Sequence, residues 1–272
     1  MNTKIIYGTA WKKERTTSLV VSAVLAGFRA IDTACQPKHY REDLVGEALQ
    51  ILYEKHGYKR EDLFLQTKFT PIGGQDTSLP LPYDPSSTVE AQVRSSFATS
   101  LRQLRASYLD SFILHSPLET YAETLEAWRV LVGFQDEGLV RAIGLSNAYD
   151  PAVLARLGKD SGRAVQVVQN RWYERNGWDR GVAKWCRANG AQYQSFWTLT
   201  GSPSLLSHPA TAAIAQANDC SPAQAVYRFV QSLGIAPLCG TTDEMHMRED
   251  VDADKLDKGG EHFGPLTRFI WG

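Results

Sequence analysis

Short apolar runs alternate along this chain with longer stretches in which apolar residues recur every three or four positions. The short runs read as buried parallel strands, which are apolar nearly throughout, and the longer ones as amphipathic helices. Strand candidates are Lys4–Gly8, Arg29–Thr33, Leu63–Lys68, Tyr108–His115, Arg141–Ser146, Val165–Gln169, Gln192–Phe196 and Ile235–Gly240. Between Thr88 and Ala106, the residues Val89, Val93, Phe97, Leu101 and Leu104 keep helical spacing. Ser86 or Ser87 is placed to cap that helix, and Glu90 to complete a capping box. A second stripe, Leu44, Ala48 and Leu52, ends at Gly57. Ser221 followed by Pro222 reads as an N-cap with proline at the first helical position, opening Ala223–Leu233, and Gly234 stops it.

Eight strands separated by helical segments predict an α/β fold, a single (β/α)8 TIM barrel with a parallel eight-stranded core. The stretch from Thr70 to Pro85 interrupts the pattern with Gly73-Gly74 and four prolines, too long for a simple connection. No composition shift, low-complexity tract or internal repeat beyond the βα alternation marks a second domain. Residues 1–272 therefore read as one barrel, with a loop over about residues 70–87 across its mouth and a tail over about 252–272.

A length of 272 residues is ordinary for one such barrel, and 43% hydrophobic content supplies a large core. The net charge of −1 is dispersed, which argues against nucleic acid or an anionic membrane as partner. Cys35, Cys186, Cys220 and Cys239 show neither C-x-x-C spacing nor a disulfide framework, a pattern that fits a reducing cytosol. The start, Met1 to Tyr7, lacks the apolar core of a signal peptide, and no run reaches the length of a membrane span. The expected location is cytoplasmic, and the expected assembly a monomer or weak homodimer.

In a parallel barrel the carboxyl ends of the strands converge on one mouth. Asp32, Lys68 and His115 stand at or just beyond such ends, and Tyr40 follows the turn-rich Cys35-Gln36-Pro37-Lys38-His39. A carboxylate, an ammonium, an imidazole and a phenol together make a proton-donating site for a carbonyl oxygen. A free phenol, with a pKa of about 10, is a reluctant acid at neutral pH, and a neighbouring ammonium favours its ionised form. On this reading Tyr40 gives the proton, Lys68 and Asp32 tune it, and His115 orients the carbonyl. Taken singly, each has a plainer reading: a structural carboxylate, a half-buried loop aromatic, a satisfied strand-end histidine. No His-x-His pair or carboxylate cluster points to a metal, which leaves a metal-dependent or hydrolytic barrel unsupported. No G-x-G-x-x-G follows the first strand, so a dinucleotide would bind without a Rossmann turn.

Gly27-Phe28-Arg29-Ala30-Ile31-Asp32-Thr33-Ala34 resembles the G-[FY]-R-x-[IL]-D-T-A signature of the aldo-keto reductase family. Leu44-Val45-Gly46-Glu47-Ala48-Leu49 is similar to the V-G-x-A-[IL] segment that follows it. Leu101-Arg102-Gln103-Leu104, then Leu109-Asp110 and His115-Ser116-Pro117, resemble the second signature. The resemblance runs from about Tyr7 to Arg248 and implies the same four catalytic residues, Tyr40, Lys68, Asp32 and His115. The spacing departs from the family: Asp32 to Tyr40 is three residues longer than is common, and Tyr40 to Gly46 one shorter. His39 is the other residue there that could point inward, though it fits the family role less well.

By position, the resemblance implies that Ser146, Asn147 and Gln169 hold the carboxamide of a nicotinamide cofactor. Phe196 would stack on its ring in place of a tyrosine, with Leu199 and Gly201 along the pyrophosphate. The segment Pro237–Asp243, with Gly240 and Thr241 within it, replaces the family's P-K-S run, and Gly240 stands in place of the lysine that would meet an adenosine 2′-phosphate. His246 takes roughly the place of the adenine-side arginine, with Arg248 close by, and Thr241 and Thr242 offer hydroxyls at a helix N-terminus. Trp11 and Trp172, with His115, are the substrate-side candidates. The resemblance thus implies a cytosolic, NAD(P)H-dependent reduction of small aldehyde or ketone carbonyls to alcohols, with NADPH favoured and NADH possible. The alternative is a non-catalytic, nucleotide-binding regulatory barrel of the same family.

Overall fold

All eight apolar runs become strands in the computed structural model, which describes residues 4–272: β1 Ile6–Gly8, β2 Ala30–Asp32, β3 Phe64–Phe69, β4 Leu109–Leu114, β5 Val140–Ser146, β6 Val167–Arg171, β7 Gln192–Phe196 and β8 Ile235–Cys239. Each pairs in parallel with its neighbour in sequence, and β1 closes onto β8 through Ile6–Leu238 and Tyr7–Cys239. The first strand begins at Ile6 rather than Lys4, and Met1–Thr3, which the signal-peptide reading also covers, lie outside the described residues.

The ring of helices comprises α1 Thr16–Ala26, α2 Glu42–His56, α3 Val89–Leu104, α4 Tyr121–Asp136, α5 Pro151–Ser161 and α6 Arg180–Asn189. It continues with α7 Pro203–Leu206, α8 Pro209–Asn218, α9 Pro222–Ser232, α10 Glu244–Asp252 and α11 Phe263–Trp271. No helix among the described residues is long and apolar enough to cross a membrane.

Alternation along the strands sorts residues into two layers. Tyr7, Ile31, Leu65, Phe112, Leu145 and Val168 face outward into one apolar layer beneath the helices. On the inside, Ile6, Ala30, Phe64 and Ala236 form a separate small cluster that fills the barrel floor. Above that floor the interior turns polar. Asp110 of the second signature stabilises the fold: it is buried, paired with Arg60 and Arg141 at 2.8 Å each, and accepts the Leu65 N–H at 3.0 Å.

Helix ends follow the chemistry of their caps, with one correction. Ser221 caps α9 with Gln224 completing a capping box, and Gly57 ends α2 in the left-handed region. The cap of α3 is Thr88, which accepts the Ala91 N–H, rather than Ser86 or Ser87. Those serines are committed to a turn around Asp84, and Glu90 pairs with Arg94 instead of closing a capping box. The buried stripe of α2 is Val45, Ala48, Leu49 and Leu52, with Leu44 only half-buried. The long loop after β3 folds back on its own start: Tyr83 donates to the Thr70 carbonyl at 2.8 Å, and Gln75 donates to the Cys35 carbonyl at 2.9 Å.

The V-G-x-A segment has a packing reason. A Cβ on Gly46 would lie 2.0 Å from the Gln103 carbonyl oxygen, so only glycine lets α2 approach α3 this closely. Gly46→Ala should therefore destabilise the protein by about 1–3 kcal/mol, as overpacking of a rigid contact does. Urea unfolding reads this directly, and a midpoint unchanged from wild type would show that the helices part at no cost.

Candidate active site

The centre of the barrel mouth is an ion pair. Lys68 Nζ donates to Asp32 Oδ2 at 2.6 Å and to the Thr33 carbonyl at 2.8 Å, and the lysine side chain is 0% exposed. Asp32 Oδ1 accepts Gln66 Nε2 at 2.8 Å and Gln169 Nε2 at 3.0 Å. Gln194 Oε1 in turn accepts from both glutamines, at 2.7 and 3.0 Å. Side chains from β2, β3, β6 and β7 thus satisfy one another across the interior, which is what a buried charge demands. Burial pulls the Lys68 ammonium down from its usual range, while Asp32 and then Glu42 hold it up.

Tyr40 reaches the mouth because the connection from β2 turns tightly. The Gln36 carbonyl accepts the N–H groups of His39 at 3.1 Å and Tyr40 at 3.0 Å, absorbing the extra residues of this loop. The Tyr40 ring then lies 5.2 Å from Lys68 Nζ and edge-on to His115, with ring centroids 5.9 Å apart. Its hydroxyl has no hydrogen-bond partner among the described residues. The expectation that Lys68 eases ionisation of the phenol is corrected here. Burial, and after it the Asp32 carboxylate, push Tyr40 well above the usual tyrosine range. The ammonium is committed to Asp32, and the phenol keeps its proton.

His115 donates its backbone N–H to the Phe69 carbonyl at 2.8 Å, and its own carbonyl accepts Asn147 Nδ2 at 2.9 Å. Its Nδ1 lies 2.7 Å from Thr70 Oγ1. Burial, then the charge of Lys68 and the neighbouring His39, hold the imidazole well below its ordinary pKa, so the ring is neutral at neutral pH. His39 itself stacks on Trp11, ring centroids 3.7 Å apart, and its Nδ1 is buried without a partner.

Glu42 gave no signal in the sequence beyond being an acidic residue at a helix start, yet it is buried behind Lys68. Thr67 donates to Glu42 Oε1, and Ser100 donates to Oε2 at 3.0 Å. Burial pushes its carboxyl up to about 6 against hydrogen bonds from Thr67, Ser100 and Cys35 and the charge of Lys68. Gln66 and Gln194 were also missed. The period-two rule could have found Gln66, since it shares the inward face of β3 with Lys68.

Ser146, Asn147 and Gln169 lie together beside His115. Ser146 Oγ donates to the Gln169 carbonyl at 2.7 Å, and Asn147, at φ 53°, lies between Ser146 and His115. Among the described residues Asn147 Oδ1 accepts a hydrogen bond only from the Tyr149 hydroxyl, at 3.4 Å. Phe196 is half-buried at the end of β7, with the Arg171 guanidinium 5.8 Å from its ring. Leu199 is half-buried in the following loop, where the Gly201 carbonyl accepts the Glu174 N–H at 3.2 Å. These hydroxyl, amide and aromatic groups fit a nicotinamide.

The adenosine end differs from expectation. The N-terminus of α10 is already filled by Asp243, whose Oδ1 accepts the N–H groups of Met245 at 2.8 Å and His246 at 3.1 Å. The Thr241 hydroxyl accepts the Asp243 N–H, and Thr242 and His246 are exposed. Arg248 is exposed with Glu244 at 3.9 Å. A cation that sequence reasoning missed does reach the place: Lys12, from the loop after β1, donates to the Gly240 carbonyl. Nothing in the sequence shows that a lysine after the first strand would reach across to the eighth.

On the substrate side, Trp172 is corrected. It is 0% exposed and packs against Trp178, so it has no surface to offer a ligand. The exposed tryptophans of the rim are Trp11, at 66%, and Trp197, at 50%, both in the left-handed region at φ 64° and 62°. Arg171 lies 4.5 Å over the Trp197 ring, and Tyr173 meets its edge. Among the described residues no group of histidine, cysteine and carboxylate side chains could hold a metal ion.

The model of the Aldo/keto reductase family matches residues 4–262. The chain is 30% identical over 234 residues to the uncharacterized oxidoreductase YtbE of Bacillus subtilis, spanning 85% of this chain and 75% of that one. It is 28% identical over 238 residues to the glyoxal reductase of the same organism, spanning 87% and 76%. The crystal structure of an aldo/keto reductase from Brucella melitensis is similar with a TM-score of 0.80 and 25% identity, over 97% of this chain and 94% of that one.

Glu42 makes the pH dependence of stability testable. Its folded pKa of about 6 stands above its ordinary value of 4.5, so the folded state binds this proton more tightly. The stabilisation is full below the ordinary value and is lost as pH rises through about 6. Relative to wild type, Glu42→Gln should gain unfolding free energy on going from pH 4.5 to 7.5, by at most about 2 kcal/mol. Urea titrations of both proteins at the two pH values measure it, and a variant whose offset from wild type is the same at both would reject the assignment.

Proposed function

This chain belongs to the aldo/keto reductase family, and from that premise we propose that it reduces aldehyde or ketone carbonyls to alcohols, with Tyr40 as proton donor. The observation that carries the reading is the partnerless Tyr40 hydroxyl beside a buried Lys68–Asp32 pair and a neutral His115 in one mouth. A nicotinamide cofactor, when bound, supplies the hydride. Ser146, Asn147 and Gln169 would hold its carboxamide and Phe196 its ring face. His115 hydrogen-bonds the substrate's carbonyl oxygen and fixes its direction.

Tyr40 gives its proton as negative charge develops on that oxygen. A phenol raised by burial does not ionise beforehand, so the proton stays in place until the oxygen is basic enough to take it. The phenolate left behind then faces Lys68 Nζ, 5.2 Å from its ring. Asp32 acts through Lys68 by holding the ammonium in position. Trp11 and Trp197 form the rim, and the exposed guanidinium of Arg171 stands between Phe196 and Trp197. The similarity to a glyoxal reductase makes small oxo-aldehydes the first substrates to try. The four cysteines are all unpaired, which supports a reducing, cytosolic setting.

Tyr40→Phe should lower turnover on an accepted carbonyl by at least ~10²-fold while cofactor binding stays near wild type. Turnover equal to wild type would remove Tyr40 from the role and direct attention to His39. A wild-type chain that binds cofactor yet reduces no carbonyl would instead favour the regulatory barrel.

Cofactor choice follows from the charges near Gly240. His246, Arg248 and Lys12 can meet a 2′-phosphate, but Asp243 and Glu244 flank the same helix start. We expect a modest preference for NADPH over NADH, since one charge-assisted contact is worth about 1.5–3 kcal/mol. The double variant His246→Ala with Arg248→Ala should bring the two cofactors close to parity in a fluorescence titration. Tighter binding of NADH by the wild type would overturn this.

A further inference from the structure

Thr70 is the first residue after β3, where the long loop leaves the barrel, and it is 1% exposed. It is held from the loop side. Its carbonyl accepts Gln75 Nε2 at 3.2 Å and the Tyr83 hydroxyl at 2.8 Å. A Cβ on Gly74 would come within 2.8 Å of Thr70 Cγ2, so the glycine leaves room for the threonine methyl. With methyl and carbonyl both committed, the hydroxyl faces His115 Nδ1 at 2.7 Å.

That hydroxyl has no other hydrogen-bond partner among the described residues. It carries one proton, and the direction of the bond decides where the imidazole's proton sits. If Nδ1 were the donor, the buried threonine proton would be left unsatisfied, at a cost comparable to a lost hydrogen bond. If the hydroxyl donates, both groups are satisfied and the ring hydrogen lies on Nε2. His115 Nε2 has no partner among the described residues, so it remains available to a ligand. Burial keeps the ring neutral, and the charge of Lys68, from β3, and then of His39, from the β2–α2 loop, adds to it.

We propose that Thr70 is a positioning residue that fixes the tautomer of His115, donating to Nδ1 so that Nε2 presents a hydrogen to the substrate's carbonyl oxygen. The opposite tautomer would turn a lone pair toward that oxygen and repel it. This assignment rests on the reading of the mouth as a carbonyl-reducing site. It adds what holds the histidine in its useful form, and it gives the folded-back loop a role in the chemistry.

The test is nitrogen-15 NMR of the histidine ring nitrogens, with the His115 signals assigned by their loss in His115→Gln. Wild type and Thr70→Ser should both show hydrogen on Nε2, whereas Thr70→Val, of the same shape without the donor, should show a mixture or the Nδ1 form. In parallel, kcat/KM should fall roughly tenfold or more in Thr70→Val, the loss of one hydrogen bond at the reacting oxygen, and recover in Thr70→Ser. Cofactor affinity should be unchanged in both. Hydrogen on Nδ1 in the wild type would overturn the proposal without any variant, even if Thr70→Val failed to fold. An unaltered His115 spectrum in Thr70→Val would overturn it as well, as would equal losses of activity in the valine and serine variants. The spectrum reads the tautomer without turnover. A chain that reduces no carbonyl refutes the functional reading, and the tautomer assignment is still decided by its own signal.

Discussion

A fully buried ammonium is the constraint from which the interior of this barrel follows. Lys68 cannot stay charged inside without Asp32, and Asp32 cannot accept one donor and leave its second oxygen bare. Gln66 and Gln169 fill that oxygen, and Gln194 ties the two amides together. The middle of the barrel therefore holds amides where packing alone would call for branched apolar residues. A separate apolar cluster fills the floor at Ile6, Ala30, Phe64 and Ala236. Breaking the pair by removing one partner leaves an uncompensated buried charge, which in other proteins costs about 3–5 kcal/mol. Stability and the electrostatics of the mouth are thus set by the same groups.

The rim is braced by hydrogen bonds between its loops. The Trp11 N–H donates to the His39 carbonyl at 2.7 Å, and Gln36 donates to Gly74, joining three loops in sequence. Gln75 and Tyr83 then fasten the long loop to Cys35 and Thr70. Trp11 and Trp197 occupy left-handed backbone that bulky residues avoid, and such residues persist only where their surroundings dictate them. Both are exposed at the mouth. A braced rim would lower the entropy cost of binding a ligand there, because little of the protein would have to be ordered.

The two ends of the proposed cofactor track are unequal in charge. At the nicotinamide end, neutral hydroxyl and amide groups sit beside the ion pair. At the proposed adenosine end, Lys12 from across the β1–β8 seam meets the Gly240 carbonyl, and the helix that follows carries its own acidic cap. An N-terminus already capped by Asp243 has little left to give a phosphate, since the carboxylate occupies the N–H groups a phosphate would use. In the proposed binding mode, discrimination between the two nicotinamide dinucleotides would rest on the buried Lys12 and on the exposed His246 and Arg248, whose charges solvent screens.

The sequence by itself determined the eight strands, the parallel barrel and the membership of Asp32, Tyr40, Lys68 and His115 in one mouth. Strand periodicity and strand-end position are local properties, and the fold turns them into convergence. It also determined where α9 starts, because Ser221, Pro222 and Gln224 act within a single turn. Only the tertiary structure decided the rest. The cap of α3 moved to Thr88 because Asp84 had claimed both serines, a contest between neighbours that propensity does not rank. Trp172 and Trp197 each follow a strand end directly, yet Trp172 went inward against Trp178 while Trp197, in the left-handed region, went outward, a difference set by the loops beyond the strands and not by residue type. Lys12, Glu42 and Thr70 meet Gly240, Thr67 and His115 across long stretches of chain, and such contacts leave no periodic trace. The direction of the Tyr40 shift was decided the same way. A phenol beside a lysine reads as acidified in a sequence, but in the fold that lysine is spent on Asp32, and burial dominates.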